Sequence, residues 1–309
     1  MQRIVRNLPN AEYHSGEEIS HSGIVQLLKS PEHYLQAKTG DREPTPAMEF
    51  GSAFHTYVLE PALFHEVYSV VDEAVLAGTL ATLDDYKAAA TQLCVKYEAL
   101  NRDELKAAIK VADVEFKFKF REDEFDRLYG DKIVLKQEQM ESLAAMRASI
   151  FKHAGAAGML VTGEAETSLF WTDEYTGLPC RIRPDWMFGG GVADLKSCIT
   201  ASKDAFAKTV ANMGYDVQAA FYVDGMKAVT GRSVNFHFIA VEKTAPFSTA
   251  CYTASQEMIE VGRAKYRGAL ELLKWCQDNQ KFPGYQPSGE IETIDLPRWA
   301  ANFDLELEA

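Results

Sequence analysis

Apolar positions recur at helical spacing through the first half of the chain and alternate with polar ones after Gly163. Ile24, Leu27 and Leu28 follow Ser20 and Ser22, either of which can cap a helix, and Ser30-Pro31 ends that helix or begins another turn. "PTPAMEFGSAFHTYVLEP" reads as a loop and then a short apolar helix carrying His55. From about Thr82 to Arg147 the spacing is mostly helical, most clearly in "TLDDYKAAATQLCVKYEAL" and "QEQMESLAAMRASIFKHA". Between them, "VEFKFKFRED" alternates aromatic and basic residues like a strand or hairpin arm.

After Gly163, "EAETSLFWTD" alternates, "EYTG" turns, "LPCRIRPDWMF" alternates again, "GGG" turns, and "VADLKSC" is a short apolar run broken by charges. This predicts three consecutive strands of an antiparallel meander. Two helices follow, "SKDAFAKTVANM" with Ser202 as its cap and "YDVQAAFYVDGMKAV". Two further strands, "SVNFHFIAVEK" and "FSTACYTA", come after them. The expected fold is α/β, of α+β character: a central mixed sheet flanked by helices, behind a mostly helical N-terminal half.

The chain has 309 residues, 47% apolar and 25% charged, which suits one large globular domain with insertions. It contains no apolar run long enough for a membrane span and no apolar core of signal-peptide length near Met1. Its five cysteines are scattered and form no CxxC pair, as expected of reduced cytoplasmic thiols rather than a disulfide framework or zinc site. The net charge of −13 is opposite to a nucleic-acid binder's usual footprint, but a local basic groove can sit on an acidic body.

The charged positions within "CRIRPDWMFGGGVADLKS" carry the chemistry. Asp194 and Lys196 are two apart on one strand and project to the same face, with Leu195 on the other. The glycine turn returns Asp185, at the end of the preceding strand, alongside Asp194. Two carboxylates so close repel unless a cation lies between them, and hard oxygen ligands suit Mg²⁺ or Mn²⁺. A lysine beside such a metal orients water and offsets phosphate charge, which is the chemistry of metal-assisted phosphodiester hydrolysis. A bare D-x-K is more often a surface ion pair. Here the apolar run Val192, Ala193, Leu195, the upstream Pro184-Asp185 and a further acid, Glu166, favour a site.

Pro184-Asp185 with Asp194-Leu195-Lys196 resembles the PD-(D/E)XK nuclease signature. "ISHSGIVQLLKSPEHYL", "EFGSAFHTYVLEP", "AETSLFW", "TGLPCRIRPDWM", "DLKS", "VQAAFYVDG" and "LPRWA" resemble, in order, the C-terminal nuclease domain of RecE (exonuclease VIII). Lambda exonuclease and RecB-type nucleases are more distantly similar. The likeness runs from about Tyr13 to Trp299 and lapses between roughly 71 and 137, expected to be a variable, mostly helical insertion. It implies a single nuclease domain over 1–309, standing alone without the N-terminal extension that relatives can carry, with its catalytic core at 160–255.

The resemblance implies His55 as a metal ligand through a neutral imidazole, Asp185 and Asp194 as carboxylate ligands, and the Leu195 carbonyl completing the shell. Glu166 is a further acid near the metals, with Glu164 its competitor on the same strand face. Lys196 positions the attacking water. Gln218 and Tyr222, four apart on one helix face, match the Q-x-x-x-Y motif that packs over the metals in RecB-like nucleases. For DNA contact the candidates are Arg181 and Arg183, able to grip a phosphate or to pair with nearby acids, and Lys117, Lys119 and Arg121, able to track a backbone or to line a solvated strand face.

The implied activity is a Mg²⁺-dependent exonuclease with two ions per site, acting on double-stranded DNA ends from the 5′ side and leaving 3′ tails. The implied setting is a homo-oligomeric ring, a trimer or tetramer, in the cytoplasm of a bacterial host. The gene is expected to be phage or prophage encoded, and the partner a single-strand annealing protein of RecT type. The competing readings are an endonuclease or nickase on the same fold and a non-catalytic DNA- or partner-binding scaffold. A serine or cysteine nucleophile lacks a G-x-S-x-G elbow, and a Rossmann-type site lacks a glycine-rich strand-to-helix turn.

Overall fold

A computed structural model describes residues 2–40 and 45–297. Of the "LPRWA" stretch, Arg298, Trp299 and Ala300 lie outside the described residues. The chain begins with β1 (Arg3–Val5), α1 (Asn10–Ser15), α2 (His21–Lys29), α3 (Pro31–Thr39) and α4 (Pro46–Leu59). Ser20 caps α2, and Ser30 both ends α2 and caps α3 by accepting from the His33 amide. Thr45 caps α4, whose first residue is proline, where the missing N–H costs nothing.

Then come α5 (Pro61–Val67), β2 (Tyr68–Val70), α6 (Glu73–Leu76), α7 (Leu83–Gln92), α8 (Arg102–Ala112), α9 (Arg121–Tyr129) and β3 (Ile133–Leu135). Helices α7 and α8 each open on a capping box, Thr82 with Asp85 and Asn101 with Glu104. They enclose a small core of their own around Tyr86, Leu105, Ile109 and Phe120. The strand expected in "VEFKFKFRED" does not form. The buried Asp113 carboxylate accepts from the amides of Lys117 and Phe118, at 3.0 and 2.7 Å, and closes a turn there. α9 begins immediately afterwards.

Helices α10 (Gln137–Lys152) and α11 (Ala154–Leu160) lead to β4 (Gly163–Ala165), β5 (Ser168–Thr172), β6 (Pro179–Ile182), β7 (Trp186–Phe188) and β8 (Gly191–Cys198). The crossover helices α12 (Lys203–Met213) and α13 (Tyr215–Thr230), then β9 (Asn235–Glu242), β10 (Thr249–Thr253) and α14 (Gln256–Asn279), complete the order. The expected three-strand meander is two hairpin pieces in two sheets. β1-β5-β6 form one sheet, and β10-β9-β8-β7-β4 form a mixed one in which only β8 and β9 run parallel. Both long strands break at the same level. Glu166 has φ +48°, and Pro184 has no N–H for a ladder. The Glu166 amide donates to the Asp185 carbonyl across this corner.

The five-stranded sheet is covered on both faces, so its central strands alternate between two cores. Val192, Phe236, Phe238 and Ala240 face α2, α12, α13 and α14. Ala193, Leu195, Ile239 and Val241 face α4, α10 and α11. The long α14 was not anticipated from the sequence, although its stripe Ile259, Tyr266, Leu270, Leu273 has helical spacing. It packs tightly on α13 at Gly262, where a Cβ would lie 2.0 Å from the Asp216 carbonyl oxygen. Gly262→Ala is therefore expected to cost about 1–3 kcal/mol through overpacking. A thermal melt checks this, with Tm falling by several degrees. Among the described residues no helix is long and apolar enough to cross a membrane.

Candidate active site

The antiparallel register pairs Trp186 with Ala193, so the next step outward sets Asp185 opposite Asp194. Both carboxylates are buried, Asp194 to 1% exposure. Asp185 Oδ2 accepts from the Leu195 amide at 2.7 Å and lies 3.4 Å from His55 Nδ1, which α4 delivers from the opposite core. In a strand the N–H and C=O of one residue point the same way, so the Leu195 carbonyl faces the Asp185 side as well.

Glu166, at the strand break, joins this pair. Ligand atoms of His55, Glu166 and Asp185 all lie within 4.8 Å of one another. Glu164 does not share that face, because the chain turns between the two acids; it pairs with Arg6 at 2.8 Å in solvent. Asp194 is turned a step away from the trio. Its oxygens meet Lys196 Nζ at 2.5 Å and Gln218 Nε2 at 2.6 Å. Tyr222, one turn along α13 from Gln218, donates to the Arg183 carbonyl at 3.3 Å and thereby braces the corner before Pro184.

The electrostatics follow from burial. Glu166 is pushed up to about 8, first by burial and then by the Asp185 charge. Burial likewise raises Asp194 to about 6, against the pull of Lys196. Burial opposes an imidazolium at His55, but Asp185 outweighs it and lifts His55 to about 9. Asp185 is held below the usual carboxylate range, because His55, Lys196 and the Leu195 amide together overcome its burial. For Lys196, Asp194 and Asp185 outweigh burial and keep the ammonium charged.

The residues fit a divalent cation. One imidazole nitrogen and two carboxylates converge, one acid resists ionisation until a positive charge arrives, and Gln218 Oε1 is buried without a hydrogen-bond donor among the described residues. His55, Glu166 and Asp185 would hold the ion, with the Leu195 carbonyl beside them.

The arginines expected to meet DNA are placed otherwise. Arg183 donates to Ser168 Oγ, Asn10 Oδ1 and the Leu8 carbonyl, and lies over the Tyr13 ring. Arg181 lies over the same ring and donates to the His14 carbonyl. Both are under 10% exposed, so they fasten the N-terminal segment to the small sheet instead of reaching out to phosphate. Lys117, Lys119 and Arg121 belong to the separate α7–α9 lobe, where Lys117 pairs with Glu115 and Arg121 with Glu73. Sequence reasoning missed Tyr215, whose ring centroid is 4.5 Å from Lys196 Nζ. Its place directly before the Gln218 turn was the available signal.

Residues 20–297 match the family described as a PDDEXK-like domain of unknown function (DUF3799). No curated protein matches the sequence. Among solved structures, the chain is similar to a candidate exonuclease from Eubacterium rectale, at 13% identity over 96% of both chains with a TM-score of 0.54. An alkaline exonuclease from Laribacter hongkongensis is 14% identical over 67% of this chain and 95% of its own, with a TM-score of 0.26. The likeness to the Eubacterium protein is one of fold. The family match spans most of the chain, which thus belongs to the PDDEXK-like family DUF3799.

Proposed function

We propose that this protein is a metal-dependent exonuclease that digests one strand of linear double-stranded DNA from its 5′ end and leaves 3′ single-stranded tails. The observation that carries the nuclease reading is the pair of buried carboxylates Asp185 and Asp194 with the partly buried Lys196, beside His55 and Glu166. Mg²⁺, with Mn²⁺ as a substitute and two ions per site, is the cofactor of this reading. A bound divalent ion lowers the pKa of a water and neutralises phosphate charge. Asp185 keeps its charge and is oriented by His55 and the Leu195 amide. Gln218 fixes one oxygen of Asp194, and the other aligns Lys196. Lys196 then has N–H donors left for the attacking water or a phosphate oxygen.

The 5′ polarity, a closed ring of three or four copies, and a RecT-type annealing partner in phage-style recombination in the bacterial cytoplasm rest on the RecE-like motifs. A ring also reconciles a charge of −13 with DNA, since only its inner lining needs to be positive.

The test is digestion of linear duplex, labelled separately at each 5′ end, with Mg²⁺ or with EDTA, against covalently closed circles. Metal-dependent loss of one strand from its 5′ end with circles intact is the expected result. Cut circles mean an endonuclease or nickase instead. DNA bound but never cut in any metal means a scaffold.

A further inference from the structure

We propose that Tyr215 is a positioning residue for Lys196, holding the lysine's ammonium between its ring face and the Asp194 carboxylate. The inference rests on the nuclease reading above for its consequence, though not for the contact itself. Lysine is a point charge on a flexible four-carbon stem, so one carboxylate contact leaves it free to swing. Here the ammonium has a second wall. Nζ lies 2.5 Å from Asp194 Oδ2 and 4.5 Å from the Tyr215 centroid, within the range in which a ring face attracts a cation. The side chain is only 16% exposed, so water screens the attraction little.

The backbone that carries the ring is fixed by two other elements. Tyr215 opens α13 directly after Gly214, which ends α12 in the left-handed conformation at φ +68°. The Gly214 carbonyl faces His21 Nε2 at 3.1 Å, at the start of α2. Asp216, buried to 5% exposure, pairs with Lys265 of α14 at 2.5 Å. The Gly262 crossing lies against the same Asp216. A half-buried histidine, a buried carboxylate and a helix–helix close approach therefore converge on three consecutive residues, and the middle one presents its ring to Lys196. The ring also packs near Phe238 of β9, 6.2 Å between centroids.

The test uses Tyr215→Phe, Tyr215→Leu and Tyr215→Met in the full chain, each checked for wild-type-like melting. Two readouts are taken. One is kcat and KM on linear duplex DNA with Mg²⁺. The other is the rate at which acetic anhydride acetylates Lys196 without DNA or metal, read by peptide mass spectrometry. Tyr215→Phe keeps the ring and is expected to stay within about twofold of wild type in both. The Leu and Met variants are expected to lose about tenfold in kcat with KM unchanged, and to acetylate Lys196 several-fold faster. Folded Leu and Met variants with wild-type kcat and wild-type Lys196 reactivity would overturn the proposal, and so would a Phe variant as impaired as Leu. If the wild type cuts no DNA, the nuclease reading fails, and the acetylation rates alone decide whether the ring holds Lys196.

Discussion

Lys196→Met is expected to lower the rate of DNA hydrolysis by about 10³-fold, the usual loss when one donor aimed at a developing negative charge is removed. Methionine keeps the apolar stem and removes only the ammonium. The loss should fall on kcat, since Lys196 is largely buried and contributes little to general attraction of DNA. Stability should change less than a broken buried pair would suggest. An ionised Asp194 left alone would cost about 3–5 kcal/mol. Burial already raises this carboxyl to about 6, and without Lys196 it can take up a proton and stay hydrogen-bonded to Gln218. Tm should therefore drop more at pH 8, where that proton is costly, than at pH 5.5. Single-turnover cleavage rates and paired melts at the two pH values check both parts; a Met variant cutting at the wild-type rate would place the chemistry elsewhere.

Adding Mg²⁺ to the metal-free protein is expected to raise Tm, by more at pH 9 than at pH 6. His55 is raised to about 9 by its pair with Asp185, from about 6.5 in the unfolded chain. Its contribution is fully present below about pH 6.5 and is lost as pH rises through about 9. Glu166 and Asp194 act in the same direction. Folded, they hold protons up to about 8 and about 6, whereas the unfolded carboxyls release theirs near pH 4. The metal-free protein therefore loses stability across this window, by on the order of 3 kcal/mol from His55 alone. Asp185, with its pKa depressed, works the other way and loses its contribution only in acid. A divalent ion replaces the displaced protons, so its affinity rises over the same range, adding about 2.7 kcal/mol of stability at a hundredfold excess over Kd. Melts with and without Mg²⁺ at pH 6, 7.5 and 9 measure this. Calorimetry in two buffers of different ionisation heat counts the released protons. A metal-free Tm that climbed from pH 6 to pH 9 would contradict the assigned charges.

Local signals in the sequence marked strand β8 and its charged pair. Strand β8 was legible because the charges Asp194 and Lys196 break a short apolar run, and the glycines before it mark a turn back to Asp185. The start of α2 was marked by a serine cap, Ser20 or Ser22, of which Ser20 is the one used. What escaped was tertiary. Alternation showed two long strands but not that both bend at Glu166 and Pro184, because a positive φ at a glutamate has no sequence mark. That bend separates Glu164 from Glu166, which period-two reasoning had put on one face. Arg181 and Arg183 looked like phosphate ligands because their partners, Tyr13, Asn10 and the Leu8 carbonyl, lie about 170 residues away in sequence. The aromatic and basic alternation near Phe116 had strand periodicity, yet one buried aspartate took the amides that a strand would have used.

The parallel pairing of β8 with β9 has a consequence for how the protein comes into being. Parallel neighbours need a crossover, and here it is α12 and α13, the segment that carries Gln218 to Asp194. His55 emerges from the ribosome roughly ten to thirty seconds before Gln218, at about 5–20 residues per second. For the last roughly one to four seconds of that interval, after Lys196 has emerged, the chain has its histidine helix and its D-x-K segment, but neither β9 beside β8 nor the helix that steadies its aspartate. On the proposed nuclease reading, activity is therefore expected only late in synthesis, and a protease cut within the crossover is expected to remove it.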